Sequence, residues 1–103
     1  MPIPTNWQNP ITASPGQLQP GVDPLSLLPS RPDLSQVRLD IQQELVDAGS
    51  ERHTPIQVTV GGVIWDGHHA IRIAAEQRRE VTVKVVNQKM KPTAASIMDL
   101  PVG

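Results

Sequence analysis

The sequence predicts a small α+β domain, because segments with strand-like and helix-like apolar spacing follow one another along the chain. Residues 23–28 indicate a short strand or turn, and residues 34–48 repeat at helical spacing. A hairpin pattern covers 56–65, a second helix is expected over 70–79, and a last strand over 81–86. This order is typical of a mixed sheet with one β-hairpin and two main helices.

The first 32 residues hold eight of the eleven prolines, which excludes a helix there and predicts an extended arm over residues 1–22. Trp7 is unusual in a purely solvated segment, so the arm packs either on the domain or on a partner protein. The domain itself is expected over residues 23–87. Residues 88–103 are expected to form a tail with at most one helical turn at 94–98.

The first helix is predicted from apolar residues spaced three and four apart, namely Leu34, Val37, Ile41, Leu45 and Ala48. This spacing places them on one face. Ser35 or Asp33 can cap the start, and Gly49 can end the helix.

The hairpin is predicted from alternation over 56–60, a two-residue turn at Gly61 and Gly62, and a return strand over 63–65. Trp65 ends that strand. Its ring either packs in the core or offers a face on which a nucleic-acid base could stack.

The junction after the hairpin carries the chemistry of the chain. The return strand runs directly into Asp66 and Gly67, and a helix starts soon afterwards. A helix start attracts anions, because its first backbone N–H groups have no partner within the helix. His68, His69 and Arg72 follow within six residues, so phosphate handling is the first chemistry to consider.

Composition excludes several classes of function. The chain has no cysteine, which removes disulfides, thiolate metal sites and cysteine nucleophiles. It has no long apolar run and no secretion signal, so we expect a cytoplasmic protein without a membrane segment. The net charge of −1 does not fit a broad non-specific DNA binder, although residues 67–103 carry +3 and residues 1–66 carry −4.

Three segments of the sequence resemble the ParB/sulfiredoxin-like superfamily, which includes the ParB-like nuclease domain. They are the Pro-Ile strand at 55–60, the hairpin return with its Asp-Gly-His-His start at 61–69, and the strand at 81–86. The resemblance covers about residues 23–87 and implies the same small fold. Sulfiredoxins act through a cysteine, so their reaction is excluded for this chain.

The resemblance implies a nucleotide site, with a nucleoside triphosphate and Mg²⁺ as the expected ligand. In that family the glycine matching Gly67 and the basic residues after it hold phosphates, which assigns His68 and His69 to the same role. Arg72 matches a later arginine of the motif. Ala70 departs from the family, because both motif variants have an arginine there, and a bidentate phosphate donor is lost.

Catalytic roles are open to more than one interpretation. His68 and His69 serve as phosphate donors or a general base, as a plain polar pair at a helix start, or as ligands of a transition metal. Asp66 either caps the turn or contacts Mg²⁺ or a ribose. Asp47 matches an acidic base of kinase-like relatives, but it also fits a solvent-facing acid near a helix end.

Two classes of function follow. The first is a stand-alone domain that binds nucleotide or nucleic-acid phosphate and has hydrolytic or phosphotransfer activity, as a nucleotide hydrolase or nuclease does. The second is a catalytically degenerate protein-interaction module that docks a partner through the proline-rich arm or the hairpin edge. A third reading is a toxin domain of a bacterial competition system, cut from a larger effector. The sequence does not indicate an oligomeric state.

Overall fold

Four strands form one mixed sheet, whose spatial order is Leu18–Val22, Val81–Val86, Ile56–Thr59 and Ile64–Asp66. The computed structural model describes residues 7–49 and 55–103. The strands are β1 (Leu18–Val22), β2 (Ile56–Thr59), β3 (Ile64–Asp66) and β4 (Val81–Val86). The helices are α1 (Gln36–Asp47) and α2 (His68–Glu76), and two 3₁₀ turns cover Pro24–Ser26 and Ile97–Asp99. The predicted α+β class, the two helices, the mixed sheet and the β2–β3 hairpin are therefore confirmed.

The central pair of the sheet determines where α2 lies. β2 and β4 are parallel, whereas β1 pairs antiparallel with β4 and β3 pairs antiparallel with β2. A parallel pair needs a crossover connection, and here β3 and α2 together provide it. Helix α2 packs against α1 and both 3₁₀ turns, and it buries Ile71, Ile73 and Ala74 in the core.

The segment predicted as a short strand or turn at 23–28 is a turn. The Asp23 carboxylate accepts the N–H of Leu25 at 3.0 Å, and Pro24 has the fixed φ that suits the first position of a 3₁₀ turn. Within residues 23–28, strand-like pairing is limited to Leu28, which forms an isolated parallel bridge with Val63. The first strand lies earlier, at Leu18–Val22.

The described part of the arm, residues 7–22, packs on its own domain. The Trp7 indole donates to the carbonyl of Ser26 at 2.8 Å, and Ile11 and Val22 are buried in the core. Residues 1–6 lie outside the described part of the chain. Docking of the arm on a partner protein stays a prediction.

The predicted buried face of α1 is wrong. Val37 is 67% exposed and Ile41 is 51% exposed, whereas Leu39, which the spacing excluded, is buried. Leu34 is also buried, but it precedes the helix, because Ser35 is the N-cap residue and accepts the N–H of Arg38 at 3.4 Å. Leu34, Leu39 and the half-buried Val46 therefore pack on the core in this region, whereas Val37 and Ile41 do not.

The hairpin loop is one residue longer than predicted. The N–H of Thr59 donates to the carbonyl of Val63 at 2.8 Å, which leaves residues 60–62 as a three-residue loop. Gly62 has a φ of 81°, which suits the left-handed residue of such loops. Trp65 is 38% exposed, so the prediction that its ring packs in the core is wrong.

The segment predicted as a tail is part of the packed structure. Ala94, Ile97 and Leu100 are buried in the core, and the predicted helical turn forms as 3₁₀ at Ile97–Asp99. Farther on, Val102 forms a parallel bridge with Leu34. None of the helices in the described part of the chain is long and apolar enough to cross a membrane.

Candidate functional site

Helix α2 starts two residues earlier than predicted and without a side-chain cap. Gly67 is the N-cap residue with a φ of 103°, a left-handed conformation that glycine adopts without strain. Because Gly67 occupies the N-cap position, the interpretation of Asp66 as the N-cap residue is wrong, whereas its role as a turn residue stays a prediction. His68 and His69 are consequently the first two residues of the helix.

His68 is held by the loop before α1. Its ring is 5% exposed, and Nε2 accepts the backbone N–H of Ser30 at 3.0 Å. The Ser30 hydroxyl lies 3.3 Å from the same nitrogen but donates its hydrogen to the carbonyl of Ile64 at 2.6 Å. Because both the hydroxyl hydrogen and the imidazole lone pair are used in this way, Ser30 and His68 do not form a nucleophile–base pair.

His69 makes the equivalent contact one loop turn farther on. It is 9% exposed, and its Nε2 accepts the backbone N–H of Ser35 at 3.0 Å. Ser35 is the N-cap residue of α1, so this bond ties the start of α1 to the start of α2. The two histidines therefore fasten the 30–35 loop to α2 through two backbone hydrogen bonds.

Both imidazoles have a lowered pKa. The pKa of His68 is lowered to about 4, mainly by burial and also by the nearby Arg31 and His69, while Asp66 opposes the shift. Burial also lowers the pKa of His69, with Arg31 and Arg38 adding to the effect. Both rings are neutral near pH 7. A neutral imidazole that accepts a hydrogen bond at Nε2 carries its hydrogen at Nδ1.

A cavity of about 210 Å³ opens at the start of α2. Its charged and polar lining comes from three elements: Arg31 of the loop, Arg38 of α1, and Asp66 to His69 at the β3–α2 junction. Two guanidinium groups face one carboxylate there. Ala70, at the position where the ParB-like motif has an arginine, lines the same cavity as Arg31 and Arg38.

Two predicted site residues lie elsewhere. Arg72 does not line the cavity: its Nη1 donates to the carbonyls of Ile97 and Leu100 at 3.4 and 3.3 Å, and its Nε pairs with Glu76 at 2.8 Å. It therefore anchors the C-terminal segment on α2. Asp47, at the end of α1, is exposed, and its carboxylate accepts from the Gln43 amide at 2.8 Å.

The sequence analysis missed Arg31 and Arg38 as site residues. One signal was available for Arg38, because a Ser35 cap places it in the first turn of α1, and that turn contains no acid. A cation is unfavourable at a helix N-terminus, where the macrodipole is positive. An arginine at such a position indicates a role other than stabilising the helix.

A metal role for Asp66 stays a prediction. In residues 7–49 and 55–103, no group of three His, Cys, Asp or Glu side chains lies close enough together to hold a metal ion. The interpretation of the two histidines as transition-metal ligands gains no support, because both Nε2 atoms accept backbone hydrogen bonds.

No family model, curated protein or solved structure matches this chain. The resemblance to the ParB/sulfiredoxin-like superfamily therefore stays a prediction from the sequence, and arguments about function depend on the geometry of the site.

Proposed function

We propose that this domain binds a phosphate group of a nucleotide or nucleic acid in the cavity at the start of α2. One observation carries the proposal: the uncapped N-terminus of α2 opens on a cavity that two arginines and two histidines line. The first bond of the helix runs from the N–H of Ile71 to the carbonyl of Gly67 at 3.0 Å. The N–H groups before Ile71 therefore have no acceptor within α2, and a phosphate could supply one.

The charge of the site favours an anion. Among the described residues that line the cavity, Arg31 and Arg38 outweigh the carboxylate of Asp66, and a guanidinium group can bind two phosphate oxygens at once. They also offset the departure at Ala70, since they place guanidinium groups beside that position from other elements of the fold. An anion there would in addition relieve the repulsion between Arg38 and the macrodipole of α1.

Hydrolysis or phosphotransfer is the activity that we attach to this binding site. Because the Nε2 lone pairs of His68 and His69 accept backbone hydrogen bonds, neither ring serves as a base through Nε2, and we assign the acid–base role to the Asp66 carboxylate, which also lines the cavity. Mg²⁺ usually binds through nucleotide phosphates, several waters and one or two carboxylates, so the ligand itself would bring the ion.

The test is a thermal-shift titration with ATP, CTP, GTP and a short single-stranded oligonucleotide, each with and without Mg²⁺. A ligand at ten times its Kd stabilises the folded state by about 1.4 kcal/mol, which raises the melting temperature by roughly 6–11 °C for a domain of this size. We expect such a shift for the native protein and a clear loss of it for Arg38→Gln. Lys91→Gln is the matched control, because it removes the same charge from an exposed residue outside the cavity.

Two results would reject the proposal. One is the absence of a shift with every nucleotide and with the oligonucleotide. The other is an equal loss of the shift in Arg38→Gln and Lys91→Gln, since that would indicate general charge attraction rather than a site. Assays for nucleotide hydrolysis and for DNA cleavage would follow a positive result, with Asp66→Asn as the variant that tests the acid–base role.

A further inference from the structure

We infer that His68 and His69 bind the oxyanion as neutral hydrogen-bond donors, each through Nδ1–H. The inference rests on the proposed function and names which atoms of the site hold the ligand. Its basis is geometric: the backbone N–H groups of Ser30 and Ser35 each donate to one Nε2 at 3.0 Å. An acceptor nitrogen cannot carry a hydrogen, so each neutral ring has its hydrogen on Nδ1.

The Nδ1 atoms are accessible to a ligand. No side-chain nitrogen or oxygen in the described ranges, 7–49 and 55–103, is both buried and without a hydrogen-bond partner. The ring contacts found for His68 and His69 involve Nε2 alone, so each Nδ1 reaches solvent. His68 and His69 both line the cavity, which makes it the space where we place the oxyanion that these donors would bind.

The fixed backbone donors also fix the orientation of the rings. Turning a ring over would move Nε2 away from its backbone N–H and leave that buried donor unpaired, which is costly. The two rings are therefore oriented before a ligand arrives, and binding needs little side-chain ordering.

Burial first, and the surrounding charges second, keep the rings neutral. Arg31 from the loop and Arg38 from α1 face the histidines, each imidazole lies beside the other, and Asp66 at the end of β3 provides the opposing charge. Arg31 and Arg38 would thus supply the positive charge of the site, whereas the histidines would supply direction. This division of roles differs from a site that binds anions through imidazolium.

Two amide substitutions separate the two ends of each ring. The amide of glutamine reaches the place of Nε2, and the shorter amide of asparagine reaches the place of Nδ1. His68→Gln therefore keeps an acceptor for Ser30 and removes the donor to the cavity. His68→Asn keeps the donor and removes that acceptor, and the same pair of variants can be made at His69.

Sulfate is the probe, because it remains a dianion throughout the pH range used, and binding is measured by calorimetric titration beside thermal melting. We expect His68→Gln to melt near the native temperature and to bind sulfate roughly tenfold more weakly, the loss of one hydrogen bond to a charged group. His68→Asn should melt lower and retain near-native sulfate affinity. Equal sulfate affinity in the native protein and in the Gln variants at both positions would overturn the inference.

The pH profile gives a second readout, which a purely structural role would not change. Neutral donors predict a sulfate affinity that stays nearly constant from about pH 5.5 to 8.5. An affinity that falls with a midpoint near the ordinary histidine pKa of about 6.5 would identify imidazolium as the binding group and overturn the inference.

Failure of the inference and failure of the proposed function give different results. If sulfate binding depends on Arg38 but not on the His→Gln changes, the site exists and the inference is wrong. If neither sulfate nor any nucleotide binds the native protein, both are wrong.

Discussion

Acidification should destabilise this domain through His68, and the size of the effect follows from its environment. The pKa of His68 is lowered to about 4 by burial and by neighbouring cations, whereas an unfolded chain has the ordinary value of 6.5. Between these values the unfolded state binds the extra proton. The free energy of unfolding therefore falls as the pH drops from 6.5 towards 4. Above pH 6.5 the ring is neutral in both states, and protonation of His68 no longer destabilises the domain.

The magnitude follows from the two pKa values. Integrating the linkage relation from pH 7 to pH 5 gives a loss of about 2 kcal/mol for this one residue. That is a large fraction of the 5–15 kcal/mol that stabilises an ordinary domain. His69 shifts in the same direction and adds to the loss.

Urea denaturation followed by tryptophan fluorescence measures this effect at pH 7, 6 and 5. His68→Gln is the comparison, since glutamine can accept the Ser30 N–H but does not titrate. We expect the native protein to lose about 2 kcal/mol more than the variant between pH 7 and 5. Parallel losses in both proteins, or a native protein that becomes more stable at pH 5, would refute the assignment of a buried neutral His68.

Three further predictions concern packing and turns. Arg72→Gln should lower the free energy of unfolding by about 1 kcal/mol in urea titrations, because two backbone carbonyls lose a donor. Its sulfate affinity should equal that of the native protein, and a reduced affinity would place Arg72 in the site. Gly62→Ala should lower the free energy of unfolding by about 1–3 kcal/mol, since the φ of Gly62 is 81° and an added Cβ would lie 2.6 Å from a side-chain oxygen. Gly16→Ala should lower it less, because Gly16 has a similar φ of 90° but no atom near the added Cβ. Ile97→Ala should lower the free energy of unfolding by about 2–5 kcal/mol in thermal or urea unfolding. Met98 is 41% exposed, so Met98→Ala should lower it little. Equally small losses in both variants would mean that the C-terminal segment does not belong to the core.

Both helices, the hairpin strands and β4 were predictable because they depend on local patterns. Alternation over 56–60 and 81–86 and the glycines of the hairpin identify β2, β4 and the loop without knowledge of the rest of the molecule. The strand at Leu18–Val22 was not predictable in this way. It contains Pro20 and Gly21, both poor strand formers, and it exists because β4 offers it a pairing edge.

The site was predictable only where it is contiguous in sequence. The Asp66–His69 junction contributes its own ligands, so reading along the chain was enough to find it. Arg31 and Arg38 lie at the cavity because Ser30 is bonded to His68 and Ser35 to His69. These bonded residues are 38 and 34 positions apart in the sequence, and no local pattern indicates such contacts. Arg72 was misplaced for the opposite reason, because closeness along α2 does not bring its side chain to the start of the helix.

The position of β4 between β1 and β2 sets an order of events during synthesis of the chain. β1 ends at residue 22 and its partner β4 begins at residue 81, so 58 residues separate the two strands that pair. The β2–β3 hairpin can form early, since its strands are neighbours in sequence. The two helices and the leucines of the core can pack stably only when β4 is available, because β4 pairs with both β1 and β2. Folding should therefore be a late, cooperative event on the ribosome, and a nascent chain halted before residue 81 should remain sensitive to protease.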